Sequence, residues 1–115
     1  MDDFFEFFAG GPEIFSQFSP RDVSNLILWL DASAITGLNN NDPVATWSDR
    51  SGNGNDATQA TATNRPLYKT NIVNGKPVVR FDGVDNYLTF GDLAALDFGT
   101  GGFSLYIVIQ STYTW

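Results

Sequence analysis

From Ser19 onward the chain is cut into short apolar runs by Gly, Asn, Asp and Pro, and helical periodicity is weak throughout. That punctuation predicts an all-β chain of short strands and tight turns. Leu26-Ile27-Leu28-Trp29-Leu30-Asp31 is apolar on both faces, the pattern of a strand covered on both sides or lying beside the N-terminal arm. Residues 44–48 form a second candidate strand. Residues 77–82 and 86–90 alternate about Gly83-Val84-Asp85, which predicts a hairpin turning there. Residues 103–112 are the longest run, with Phe103, Leu105, Ile107 and Ile109 on one face and Tyr106 and Val108 on the other. They predict an interior strand. A chain of 115 residues is one small domain, and the five or six strands expected from these runs make about half of a two-sheet sandwich. Either another chain completes the sandwich or the chain is a piece of something longer, because an exposed apolar strand edge invites aggregation.

The first 23 residues have a different texture. Six of the ten Phe lie within the first 18 residues, at Phe4, Phe5, Phe7, Phe8, Phe15 and Phe18, together with both Glu of the chain, Glu6 and Glu13. Phe4, Phe7 and Phe8 would share one face of a short helix stopped by Gly10-Gly11-Pro12, and so short a helix is not stable alone. Three readings follow. The rings fold back on the core of the body, they form an anchor that docks into a groove on a partner or a neighbouring copy, or the arm is disordered. The chain therefore divides into an aromatic arm, residues 1–23, and a β-sandwich body, residues 24–115.

Charge and missing residues narrow the function. Six Lys and Arg against 13 Asp and Glu give a net charge of −7, the wrong sign for gripping nucleic-acid phosphates. The longest apolar run is far too short to span a membrane as a helix. With no His and no Cys, the chain cannot itself supply a Ser-His-Asp triad, a thiol nucleophile, a Cys/His zinc site or a disulfide. The start is acidic where a signal peptide is basic, so no cleaved signal is expected.

The densest turn signal is Asp49-Arg50-Ser51-Gly52-Asn53-Gly54-Asn55-Asp56-Ala57-Thr58. Gly supplies positive φ, and Asx side chains bond their own backbone, so this is expected to be a tight ordered loop. The same loop offers oxygens from Asp49, Asn53, Asn55 and Asp56, the donor type calcium takes, although the spacing is not that of an EF-hand. Asp82 and Asp85, in Phe81-Asp82-Gly83-Val84-Asp85-Asn86-Tyr87, are either the polar residues of a structural turn or acceptors for a metal or a glycan, with Asn86 beside them.

DRSGNGNDAT, then NGKPVVRFDGVDNYLTF, then LDFGTGGFSLYIVIQ resembles the first half of a LamG-like, concanavalin A-like lectin/glucanase domain. The opening LILWLDAS, with Trp47 ahead of the loop, is similar to bacteriophage and bacterial versions. The match spans about residues 24–111. Three blocks in order make it specific. The resemblance implies an antiparallel jelly-roll β-sandwich that serves mostly as a binding or structural module in extracellular proteins, adhesins and virion proteins, with glycan or calcium binding in some members. Asn86 stands where the family's FDGxDDY has a second Asp, and the family's second set of strands does not follow the third block.

Some relatives of this fold are glucanases, and glycoside hydrolysis normally needs two carboxylates across a cleft. The body contains no Glu, the family's Glu-x-Asp-x-Glu strand is absent, and the Asp residues sit in turns or at strand ends. No enzyme is expected. A carbohydrate-binding module is one alternative, with Tyr68 expected to be the exposed stacking ring and Asp85 and Asn86 the polar contacts, while Trp29 and Trp47 are expected in the core. The other alternative draws on more features. An aromatic arm, an acidic body and phage-like blocks point to a virion structural protein, a capsid decoration protein or a component of a tail fibre or spike. It would bind other virion proteins and further copies of itself through Phe4, Phe5, Phe7, Phe8, Phe15 and Phe18.

Overall fold

The computed structural model of the protein describes residues 18–111. Its strands are β1 (Thr46–Trp47), β2 (Ala57–Thr58), β3 (Leu67–Val73) and β4 (Lys76–Arg80). They form two small antiparallel sheets, β1 with β2 and β3 with β4. The remaining regular structure is 3-10 turns at Pro20–Asp22, Ala32–Ala34, Ala62–Asn64 and Ala94–Leu96, with no α-helix among the described residues. The described residues are compatible with the all-β class that the punctuation predicts.

The longer sheet is a hairpin closed at Asn74-Gly75. Both residues hold positive φ, 48° and 73°, the twist a two-residue hairpin turn demands. Tyr68 faces Val79 and Lys69 faces Val78, while Val73 faces Lys76, so the register shifts between Lys69 and Val73. Asn71 lies in that irregularity at φ 60°. This moves the hairpin from its expected place. Residues 77–80 pair back onto β3, and residues 86–90 do not pair with them. Instead Thr89 bridges to Thr58 at the edge of β2, exchanging N–H···O bonds of 2.8 and 3.0 Å. The turn expected at Gly83 does form, with Gly83 at φ 75°, but it redirects the chain without making a hairpin.

Residues 43–45 join the two sheets. The Val44 N–H donates to the Pro66 carbonyl and the Gln59 N–H to the Ala45 carbonyl, each at 2.8 Å. The core collects at this junction: Val44, Ala57, Tyr68 and Pro66 are buried. Gln59 is buried with them and satisfied, its Nε2 donating to the Tyr87 carbonyl at 3.2 Å and its Oε1 accepting from the Thr61 N–H at 2.9 Å. Arg65 braces the same corner by donating to the carbonyls of Gln59 and Ala60, both at 2.9 Å.

Two expected strands take other forms. Residues 26–31 make a single bridge, Leu30 with Asp49, in place of a ladder. Residues 103–110, the expected interior strand, are exposed throughout and pair with no strand among the described residues. Their alternation is right for a strand, but a strand exists only when a neighbour takes its N–H and C=O groups.

Candidate functional site

Asp49 organises the loop that follows it. Its carboxylate accepts from the Trp29 N–H at 2.9 Å, the Ser51 N–H at 2.8 Å, the Ser51 hydroxyl at 2.7 Å and the Asn55 N–H at 3.0 Å. Partial burial pushes the Asp49 carboxyl up, yet the bonds from Ser51, Trp29 and Asn55 outweigh it and hold the group below its ordinary value of 3.8. Asp56 closes the loop by accepting from the Asp49 N–H at 2.8 Å. Gly52 and Gly54 carry φ of 97° and 74°, where a side chain would strain the backbone.

The amides of this loop reach outward to residues 26–27. Asn53 Nδ2 donates to the carbonyls of Leu26 (2.7 Å) and Ile27 (3.0 Å), and Asn55 Nδ2 to that of Ile27 (2.9 Å). The Ser51 hydroxyl reaches the same Ile27 carbonyl at 3.1 Å, and the Arg50 N–H donates to the Trp29 carbonyl at 2.8 Å. The loop therefore does for residues 26–29 what a neighbouring strand would do. Asp49, Asn53, Asn55 and Asp56 lie in one loop, and the hydrogen bonds of their side chains go mainly to the protein's own backbone. Among the described residues no group of three or more His, Cys, Asp or Glu is placed to hold a metal ion.

Beside the loop, Arg50 pairs with Asp31 at 2.7 Å and lies over the Trp29 ring, 4.3 Å from its centroid. Arg21 stands 5.9 Å from the same ring. Trp29 and Trp47 are half-buried, short of the core placement expected for them. Asp31, Arg50, Thr46 and Trp47 line a hollow of about 240 Å³, and the Trp47 Nε1 is buried with no hydrogen-bond partner among the described residues. Sequence reasoning did not single out this hollow.

The three expected glycan contacts, Tyr68, Asp85 and Asn86, differ in exposure. Tyr68 is only 8% exposed, because it lies on β3 with its N–H bonded to Asp42 and its carbonyl to Asn41. Its ring is not free to stack on a sugar, which corrects the expectation that it sits in an exposed loop. Asp85 is exposed and Asn86 half-buried in the Gly83 turn. Asp82 caps that turn, accepting from the N–H groups of Val84, Asp85 and Asn86 at 3.0 to 3.2 Å. The Val84 bond leads the effects that lower the Asp82 carboxyl from its ordinary value.

A second concavity is apolar, an open cleft of about 1110 Å³. Residues 23–29 line one part of it; Phe90, Leu96, Phe98 and residues 102–106 line the rest. Phe98 and Phe103 are stacked, ring centroids 4.2 Å apart. Phe18 is at the cleft and 75% exposed; the other arm residues, Phe4, Phe5, Phe7, Phe8 and Phe15, lie outside the described residues. The cleft continues into the run 103–109, where Tyr106 is 88% and Val108 93% exposed. The apolar run of residues 26–29 was the signal for it: its backbone is bonded by the loop, and all four residues line the cleft. No family model matches the chain, and neither a curated protein nor a solved structure does.

Proposed function

We propose that the chain is a non-enzymatic structural component of a virion, a capsid decoration protein or a part of a tail fibre or spike. It attaches through its aromatic arm and carries a lectin-like jelly-roll sandwich whose sheets are completed in assembly. The observation that carries this reading is the apolar cleft running into the exposed residues 103–109. A contiguous apolar surface of that kind is what protein interfaces cover. The backbone of residues 103–110, which pairs with no strand among the described residues, adds main-chain donors and acceptors that an incoming strand satisfies by edge pairing. The three sequence blocks that resemble the LamG-like domain support the jelly roll, and their likeness to phage versions supports the particle.

The test is intact mass beside sedimentation mass, on protein from its native source. An intact mass near 12.6 kDa within a larger, particle-associated assembly is the expected result. Replacing Phe4, Phe5, Phe7 and Phe8 by Ala should then abolish co-sedimentation with particles. A monodisperse chain retained on a glycan column would instead favour the second reading, a carbohydrate-binding module. The hollow beside Trp47 and the Arg50–Asp31 pair favours that reading, since it sets an aromatic residue beside fixed polar groups.

A further inference from the structure

We propose that in the free chain the Phe-rich segment 4–15 seats in the apolar cleft of its own body. The inference deepens the attachment reading, because it says where the arm's rings sit before a partner takes them.

Chain connectivity is the first argument. Phe18 and Pro20 belong to the cleft wall, so the segment enters the body at the cleft itself. Ser19 and Asp22 fix that entry with a reciprocal cap, the Asp22 carboxylate accepting from the Ser19 N–H at 2.8 Å and the Ser19 hydroxyl accepting from the Arg21 N–H at 3.3 Å. Phe15 precedes Phe18 by three residues, about 10 Å of extended chain, and Phe4 lies within about 45 Å, so every ring of the segment reaches the cleft.

Chemistry is the second. The cleft is walled by Leu26, Leu28, Trp29, Phe98, Phe103 and Leu105, and the segment has Phe at five positions between 4 and 15. Rings left in water would form one exposed apolar patch and the cleft a second; seating removes both at once. The segment's other side chains fit as well. Glu6 and Glu13 make it acidic, with Asp2 and Asp3 just ahead of it, and the guanidinium groups of Arg21 and Arg50 stand at the Trp29 ring of the wall. A tethered segment also meets the cleft at a high effective concentration, ahead of a second copy in dilute solution.

The absence of cysteine makes the test clean, since Glu6→Cys in the full chain gives a single site for a nitroxide spin label. With isotope-labelled methyl groups, the signals of Leu26, Leu28 and Leu105 are expected to lose most of their intensity, unchanged on dilution. Val73, outside the cleft, should keep its own. In a mixture of spin-labelled chain without isotope and isotope-labelled chain without spin label, the cleft methyls should keep full intensity. Loss in that mixture would place a neighbouring copy's segment in the cleft and overturn the proposal, as would intact cleft signals in both samples. The same spin-labelled chain carrying Phe4, Phe5, Phe7 and Phe8 as Ser should regain the lost intensity with unchanged amide shifts in the Asp49 loop; persistent loss would show that the rings do not drive seating. Failure to co-sediment with particles would defeat the attachment reading and leave these signals as they are.

Discussion

Residues 26–29 and residues 103–109 are both apolar runs, and the protein treats them in opposite ways. The first is half-buried, with its backbone bonded to Asp49, Arg50, Ser51, Asn53 and Asn55. The second is exposed residue by residue and pairs with no described strand. Apolar content does not separate them. What separates them is a nearby set of polar groups matched to the backbone: a run is ordered where its N–H and C=O groups are answered, and burial follows. A polar loop of ten residues thus meets the backbone of one apolar run, while the longest hydrophobic stretch pairs with no strand among the described residues.

The sharpest way to break that comparison is Asp49→Ala. Three backbone N–H groups lose their acceptor, that of Trp29 among them, and stability measured by urea unfolding is expected to fall by about 3 kcal/mol. A loss within about 0.5 kcal/mol, the range of an ordinary surface change, would mean that the loop does not hold residues 26–29. Acid should do part of the same work. The Asp49 carboxyl lies below its ordinary value in the folded chain, so its contribution is complete above that value and is lost as pH falls through the folded one. Stability is expected to decline below about pH 5, and an Asp49→Asn chain should show a flatter decline over the same range. An unchanged slope would remove Asp49 from the acid response.

Asn55→Ala is expected to be milder, about 1 kcal/mol, because Asn53 and Ser51 still reach the Ile27 carbonyl. The smallest effect on stability belongs to the other run. Val108→Lys should shift unfolding by less than about 0.5 kcal/mol, since the residue is 93% exposed, while lowering the sedimentation mass of any assembly built on that edge. A large destabilisation there would show that residues 103–109 are already packed in the free chain.

Much of the local structure was legible. Asp-x-Ser-Gly-Asn-Gly-Asn declared a turn bonded to itself, and Gly52, Gly54 and Gly83 all take positive φ. The hairpin was legible too, but at another place: Asn74-Gly75 between alternating runs is the strongest two-residue hairpin signal in the chain, whereas Gly83-Val84-Asp85 is a capped turn. Tyr68 was misplaced for a related reason. The segment Arg65-Pro66-Leu67-Tyr68-Lys69 reads as a loop on its own and becomes a strand only because residues 76–80 and 41–44 lie on either side of it.

The sequence by itself determined the all-β class, the ordered loop at Asp49 and the acidic, aromatic-armed character of the chain, because each follows from side chains acting within a few residues of their own backbone. Only the tertiary structure decided that Thr89 pairs with Thr58, that Tyr68 is buried, and that the Asn53 and Asn55 amides bind the carbonyls of residues 26–27. Those outcomes depend on which distant segments meet. Many segments of a short-stranded chain offer the same N–H and C=O groups, so the choice among them is made by the packing of the whole body.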